Sequence, residues 1–104
     1  MLFNKLNVLH WHITDEDSFP YEIPNMPDLS VYGKVGGVYS VNDFKTIMNY
    51  ARVRGIRVVP EIDTPAHTES WGRSLKYKDI TINCNGEYEG QFDPTLNKTW
   101  EVVT

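Results

Sequence analysis

Asn7-Val8-Leu9-His10-Trp11-His12-Ile13-Thr14-Asp15-Glu16-Asp17-Ser18-Phe19-Pro20 is the stretch whose reading decides the fold. It starts as an apolar strand, carries two histidines and ends in three acids. Leu9, Trp11 and Ile13 alternate with Val8, His10 and His12, and period two gives one apolar and one polar face. A second stretch, Arg57-Val58-Val59-Pro60-Glu61-Ile62-Asp63-Thr64-Pro65-Ala66-His67-Thr68, repeats the plan. The predicted strand runs from Gly55 to Asp63. Ile56, Val58 and Ile62 form one face; Arg57, Val59, Glu61 and Asp63 form the other. Polar inner faces on two neighbouring strands predict an interior ion-pair network.

Between the strands the pattern changes to helical. Ser40-Val41-Asn42-Asp43 fits a capping box with Asp in place of Glu. Val41, Phe44, Ile47, Met48 and Ala51 make an apolar stripe. Arg52 and Arg54 lie in the last turn, where positive charge suits the helix dipole. Gly55 ends the helix. Strand, helix, strand at this spacing is a βαβ unit with a parallel pair. No glycine-rich turn follows the first strand, which argues against dinucleotide binding. Both strands deliver ionisable groups at their C-terminal ends, the arrangement an α/β-barrel hydrolase requires.

Two long connections follow those ends. Asp15 to Tyr39 contains Pro20, Pro24 and Pro27; Thr64 to Phe92 contains Trp71 and Cys84. Loops of such length are uncommon unless functional or disordered, and barrel active sites are built on this face. Asp93-Pro94 is expected to open a last helix, with Asp93 as N-cap and Pro94 at its first position. Leu96, Trp100 and Val103 are its expected buried stripe.

The bulk numbers bound the answer. At 104 residues the chain is one domain or less, and a complete (β/α)8 barrel needs roughly 250 residues, so a barrel reading makes residues 1–104 a fragment. Hydrophobic residues make up 40% of the chain, enough for a packed core. A net charge of -4 argues against nucleic acid as a partner, whose binders show basic patches. No run of about 18 apolar residues exists to span a membrane, and Met1-Leu2-Phe3-Asn4-Lys5 lacks the apolar stretch of a signal peptide. The single Cys84 is either a buried small hydrophobe or half of a bridge to a cysteine outside these residues.

Asp15, Glu16 and Asp17 crowd one strand end, and like charges raise one another's pKa unless a cation or donor compensates. Asp15, first after the strand, lies nearest the barrel axis; a solvated acidic turn is the bland alternative. His67 follows Asp63 by four residues, and an imidazole near carboxylates can orient a catalytic acid. Asp63 could instead cap the Thr64-Pro65 turn. Trp71 is either a sugar-stacking platform or a pin for its loop. His10 and His12, two apart on a strand, also resemble the metal pair of amidohydrolases, and with Asp63 and His67 they would make a mononuclear zinc site.

Taken together, Asn4-Lys5-Leu6-Asn7-Val8-Leu9-His10-Trp11-His12, Ser18-Phe19-Pro20, Tyr50-Ala51-Arg52-Val53-Arg54-Gly55-Ile56-Arg57, Glu61-Ile62-Asp63-Thr64-Pro65 and Asp93-Pro94-Thr95-Leu96-Asn97 resemble the family 20 glycoside hydrolases, the β-N-acetylhexosaminidases. The resemblance implies an α/β fold: part of a TIM (β/α)8 barrel, from the end of helix 1 through strand 2 to the start of helix 3. It implies removal of terminal N-acetylglucosamine or N-acetylgalactosamine with retention, the sugar's own acetamido oxygen attacking the anomeric carbon. It implies no metal and no cofactor. Asp15 and His67 match family residues coupled to the acid/base site, and Asp63 matches a supporting acid. His12, Glu16 and Trp71 are the expected substrate-binding residues. Ala66 replaces the family's usual Gly, and Glu16 stands where Asp is common. The family's His-x-Gly-Gly-Asp-Glu-like motif, which carries the general acid/base Glu, does not occur in residues 1–104, so the isolated chain is expected to be inactive. The residue matching Cys84 often pairs with a cysteine beyond strand 4. Asn97-Lys98-Thr99 is a glycosylation sequon, in keeping with a lysosomal or secreted glycoprotein parent, one that can be a dimer. A metal-dependent barrel hydrolase and a non-catalytic carbohydrate-binding piece are the competing readings.

Overall fold

The structure, a computed structural model, describes residues 1–33, 36–84 and 87–104. After a short 3-10 turn at Leu2–Asn4, β1 (Val8–Thr14) leads through α1 (Asp28–Gly33) and α2 (Val41–Arg52) to β2 (Arg57–Ile62). Then come α3 (Glu69–Gly72), β3 (Thr81–Cys84), β4 (Glu87–Phe92) and α4 (Asn97–Val103). β1 and β2 pair in parallel and β3 with β4 antiparallel, giving two two-stranded sheets. The βαβ reading holds, and the chain is α/β.

The sequence explains the parallel unit locally. Along β1, Leu9 and Trp11 are half-buried and Ile13 is buried, while Val8, His10 and His12 are exposed. Trp11 stacks on Phe44 of α2 at 5.4 Å and meets Tyr39 edge-on at 5.1 Å, so the apolar strand face carries the helix. The capping box forms as expected: Ser40 Oγ accepts the Asp43 N–H at 3.1 Å, and Asp43 Oδ2 accepts the Ser40 N–H at 2.9 Å. Hydrogen bonds from the Ser40 side chain and backbone hold the Asp43 carboxyl below the usual carboxylate range. At the other end Gly55 takes φ 67°, a left-handed conformation favoured by glycine.

The structure corrects the second strand at both ends. β2 begins at Arg57, and Ile62 is exposed rather than joining Ile56 and Val58. His12 pairs with Glu61 but Thr14 pairs with Ile62, so the register shifts by one residue and the strict alternation ends there.

The two long connections are not structureless. Asp15 to Tyr39 holds α1; Thr64 to Phe92 holds α3 and the β3–β4 hairpin. Their side chains form the main core cluster: Phe19, Leu29, Trp71, Tyr77, Ile80 and Phe92. Elements of four to six residues are too short for periodicity to reveal.

The last helix is corrected as well. Asp93 does not cap it; Asp93 Oδ1 accepts the Thr95 N–H at 2.9 Å and the Thr95 hydroxyl at 2.6 Å, a local turn that lowers its pKa. α4 starts at Asn97, with Leu96 at the cap position and no side-chain cap. The later start turns the helix face: Thr99 is buried and Val102 packs on the core, whereas Trp100 and Val103 are exposed. Cys84 is an exposed free thiol, which overturns its reading as a buried hydrophobe. Among the described residues no helix is long and apolar enough to cross a membrane.

The parallel pair has no third strand among the described residues, and Val8, Val59 and Ile62 are exposed on it. Parallel sheets are normally covered on both faces, and bare edges invite aggregation. Recombinant residues 1–104 are therefore expected to unfold over a broad thermal range. A sharp transition, coincident in near- and far-UV circular dichroism, would rule this out.

Candidate active site

Register builds the site. Because His12 pairs with Glu61 across the parallel strands, the polar faces of β1 and β2 coincide. His10 Nε2 is hydrogen-bonded to the Glu61 carboxylate. The His12 ring lies between two acids, Nδ1 3.7 Å from Glu61 Oε1 and Nε2 3.6 Å from Asp63 Oδ2. Asp63 Oδ2 in turn lies 2.6 Å from His67 Nδ1, and that nitrogen is 3.7 Å from Asp15 Oδ1. Imidazoles and carboxylates thus alternate from mid-strand to the loops: His10, Glu61, His12, Asp63, His67, Asp15. The expected network of imidazoles and carboxylates forms, but it is not interior: the His10 side chain is 65% exposed and that of His67 52%.

Several local features fix its upper end. The Asp63 N–H donates to the hydroxyl of buried Thr14 at 3.2 Å, tying β2 to β1 just below the acids. His67 has φ 56°, the left-handed region that non-glycine residues adopt at a cost and that clusters at functional sites. Its pKa is raised above the ordinary histidine value. The hydrogen bond to Asp63 is the main cause, followed by the charge of Asp63 and, more weakly, those of Asp15 and Glu16; desolvation opposes.

The three adjacent acids separate. Backbone bonds from Asp15 N to Ser18 O (2.8 Å) and from Ser18 N to Asp15 O (3.1 Å) close a tight turn. Asp15 faces His67. Asp17 pairs with the Arg73 guanidinium, which also holds Glu69 at 2.5 Å and is raised in pKa, mainly by Glu69. The Glu16 carboxylate lies against Gly90 of β4. Asp15 thus has an imidazole beside it and Asp17 a guanidinium.

Of the residues expected at the site, Asp15, His12, Asp63 and His67 come together. Glu16 is adjacent but turns toward β4. The sugar-stacking reading of Trp71 is corrected: at 4% exposure, packed T-shaped against Phe19 and Phe92 at 5.0 Å each, the ring has no free face. It pins the loop. Glu61, Arg73 and Gly90 were missed as site residues. Strand parity did place Glu61 on the polar face; Arg73 and Gly90 carried no local signal.

Two donor sets could hold a cation, His12 with Glu61 and Asp63, and Asp15 with Asp63 and His67, their ligand atoms lying within 4.8 Å of one another. The zinc set of His10, His12, Asp63 and His67 does not assemble among the described residues, because Glu61 occupies His10 and Asp63 is divided between the two groups.

The family profile for the catalytic domain of glycosyl hydrolase family 20 matches residues 1–104. The chain belongs to glycosyl hydrolase family 20. It is 46% identical over 111 residues to the beta-hexosaminidase subunit beta of Felis catus and covers 100% of this chain but 20% of that protein. Against the human subunit beta the identity is 47%, with the same coverage. The chain thus spans about a fifth of the length of these curated relatives. The crystal structure of the Vibrio harveyi family 20 exo-β-N-acetylglucosaminidase in complex with N-acetylglucosamine matches 98% of this chain and 20% of its own, at TM-score 0.84 and 26% identity. The family 20 β-N-acetylhexosaminidase of Streptomyces coelicolor matches 98% of this chain and 23% of its own, at TM-score 0.81 and 32% identity.

A raised His67 pKa means that charged His67 favours the folded state. That contribution is complete below the unfolded value near 6.5 and is lost as pH rises through the folded pKa. By NMR titration, His67 is expected to titrate above 6.5. Asp63→Asn should bring it back toward the ordinary value; an unchanged midpoint would remove Asp63 as the cause.

Proposed function

We propose that this chain is the strand 2 to helix 3 part of the catalytic barrel of a retaining β-N-acetylhexosaminidase acting on glycans that end in N-acetylglucosamine or N-acetylgalactosamine. Residues 1–104 form one piece of that catalytic domain. The observation that carries the reading is the Asp63–His67–Asp15 group, with Asp63 Oδ2 2.6 Å from His67 Nδ1, at the C-terminal ends of two adjacent parallel strands in a family 20 chain. That is the barrel face where active sites lie.

In the proposed mechanism the substrate's acetamido oxygen attacks the anomeric carbon and a general acid protonates the leaving oxygen. That acid, a Glu, belongs to a part of the parent outside residues 1–104. His67, oriented by Asp63 and facing Asp15, sets its charge and position. Asp15, Asp63 and His67 are the catalytic group; His12 and Glu16 border the sugar site. The mechanism needs no metal or cofactor. The sequon at Asn97 and the kinship with the hexosaminidase subunits support a lysosomal or secreted parent.

The two donor sets keep one alternative open, a metal-dependent hydrolase. Loss of activity on dialysis against a chelator, restored by zinc, would favour it.

In the full-length parent, Asp15→Asn and His67→Ala are each expected to lower kcat far more than they raise KM, because the interaction strengthens as the leaving oxygen is protonated. Each loss should reach about 10²-fold, the cost of misplacing a catalytic group through the residues that hold it. The double mutant should be less impaired than the product of the singles, since coupled residues are not additive. Steady-state kinetics on a chromogenic N-acetylglucosaminide decides: multiplicative losses, or losses confined to KM, would show that these residues only grip the sugar.

A further inference from the structure

The hairpin residue Gly90 touches both loops that carry the site. Its carbonyl accepts the Thr68 N–H at 2.9 Å and the Thr68 hydroxyl at 3.1 Å. Thr68 is fully buried and directly follows His67. Its hydroxyl also reaches the Pro65 carbonyl at 3.3 Å, and the Phe92 N–H donates to that same carbonyl at 2.9 Å. The loop from Asp63 to Thr68 is therefore stitched to β4 on both sides of His67. On its other side Gly90 lies against the loop after β1: a Cβ there would stand 1.7 Å from Glu16 Oε1, and φ is 61°. The Glu16 carbonyl accepts the Ser70 N–H at 2.8 Å, a further tie between the loops.

We propose that Thr68 and Gly90 are positioning residues, the latch and the seat by which the β3–β4 hairpin holds the His67 loop in register with the Asp15 loop. Three features support this. A left-handed histidine persists only where its surroundings over-determine the backbone, and Thr68 supplies two bonds immediately after it. Among the described residues neither Thr68 nor Gly90 hydrogen-bonds the His67 ring or Asp15, so both act through the backbone. Glycine adopts φ 61° without strain, and a Cβ at this position would displace the Glu16 carboxylate. The inference rests on the hexosaminidase reading for its kinetic consequence, but its effect on His67 can be measured without turnover.

The test uses the full-length protein with Thr68→Val, which deletes the hydroxyl at nearly constant shape, Thr68→Ser, which keeps it, and Gly90→Ala. Small displacements remote from the chemistry cost up to about 10²-fold. Thr68→Val and Gly90→Ala are therefore expected to lower kcat about 10- to 100-fold per folded molecule with KM nearly unchanged. Thr68→Ser should keep most of the activity. His67 is faced by Asp63 from the end of β2 and by Asp15 and Glu16 from the loop after β1. Loosening the latch should weaken that pairing and move the His67 titration, followed by NMR, toward lower pH in Thr68→Val but not in Thr68→Ser. A wild-type His67 midpoint in Thr68→Val overturns the proposal, as does wild-type kcat in an active parent. An inactive wild-type parent, or one indifferent to Asp15→Asn, instead overturns the hexosaminidase reading, and the titration still decides the latch.

Discussion

The register of β1 against β2 is the constraint from which the rest follows. With His12 opposite Glu61, every titratable side chain on the two strands falls on one face. A slip of one residue would send His10 and His12 into the helix layer and Trp11 out of it. The stacking of Trp11 on Phe44 holds that register from the apolar side. From the polar side each imidazole meets a carboxylate, and most of the carboxylates meet two imidazoles. The one-residue shift near Thr14 is where this pattern ends and the loops begin.

The main hydrophobic core does not lie beneath the helix of the βαβ unit. It lies among the connections, where Phe19, Leu29, Trp71, Tyr77, Ile80 and Phe92 pack together. Long loops ordinarily trade precision for mobility. Here a buried tryptophan packs the two loops together through two phenylalanines, and Arg73 adds a bridge between α3 and the acidic turn. The same packing brings the two loops together, with His67 Nδ1 3.7 Å from Asp15 Oδ1.

How much of this was legible depended on the length of the signal. β1 and α2 had enough residues for period two and period 3.6 to declare themselves, and Ser40 with Asp43 marked the helix start. His12, Asp15, Asp63 and His67 could be placed together because all four are on, or just beyond, strands whose faces were known. α1, α3 and the hairpin were hidden, since each is too short for a period and exists because of tertiary contacts. Trp71 and Trp100 show the limit most sharply. Both are tryptophans near a helix, and only the fold buries the first and exposes the second. Asp93 failed for a related reason: its side chain satisfied a nearer turn, and helix α4 started later and in a different phase.

The acidic turn shows how the two halves of the molecule depend on each other. Three adjacent carboxylates on a flexible segment would repel one another and remain solvated. In this chain the Asp15–Ser18 turn splays them in three directions, and each direction ends on a different element: His67 beyond β2, Gly90 on β4, Arg73 after α3. The loop following β2 folds back over the loop following β1, with the hairpin behind it. The same folding brings an imidazole to Asp15 and a guanidinium to Asp17, so the partners of the turn and the residues of the site are assembled by one arrangement of the loops.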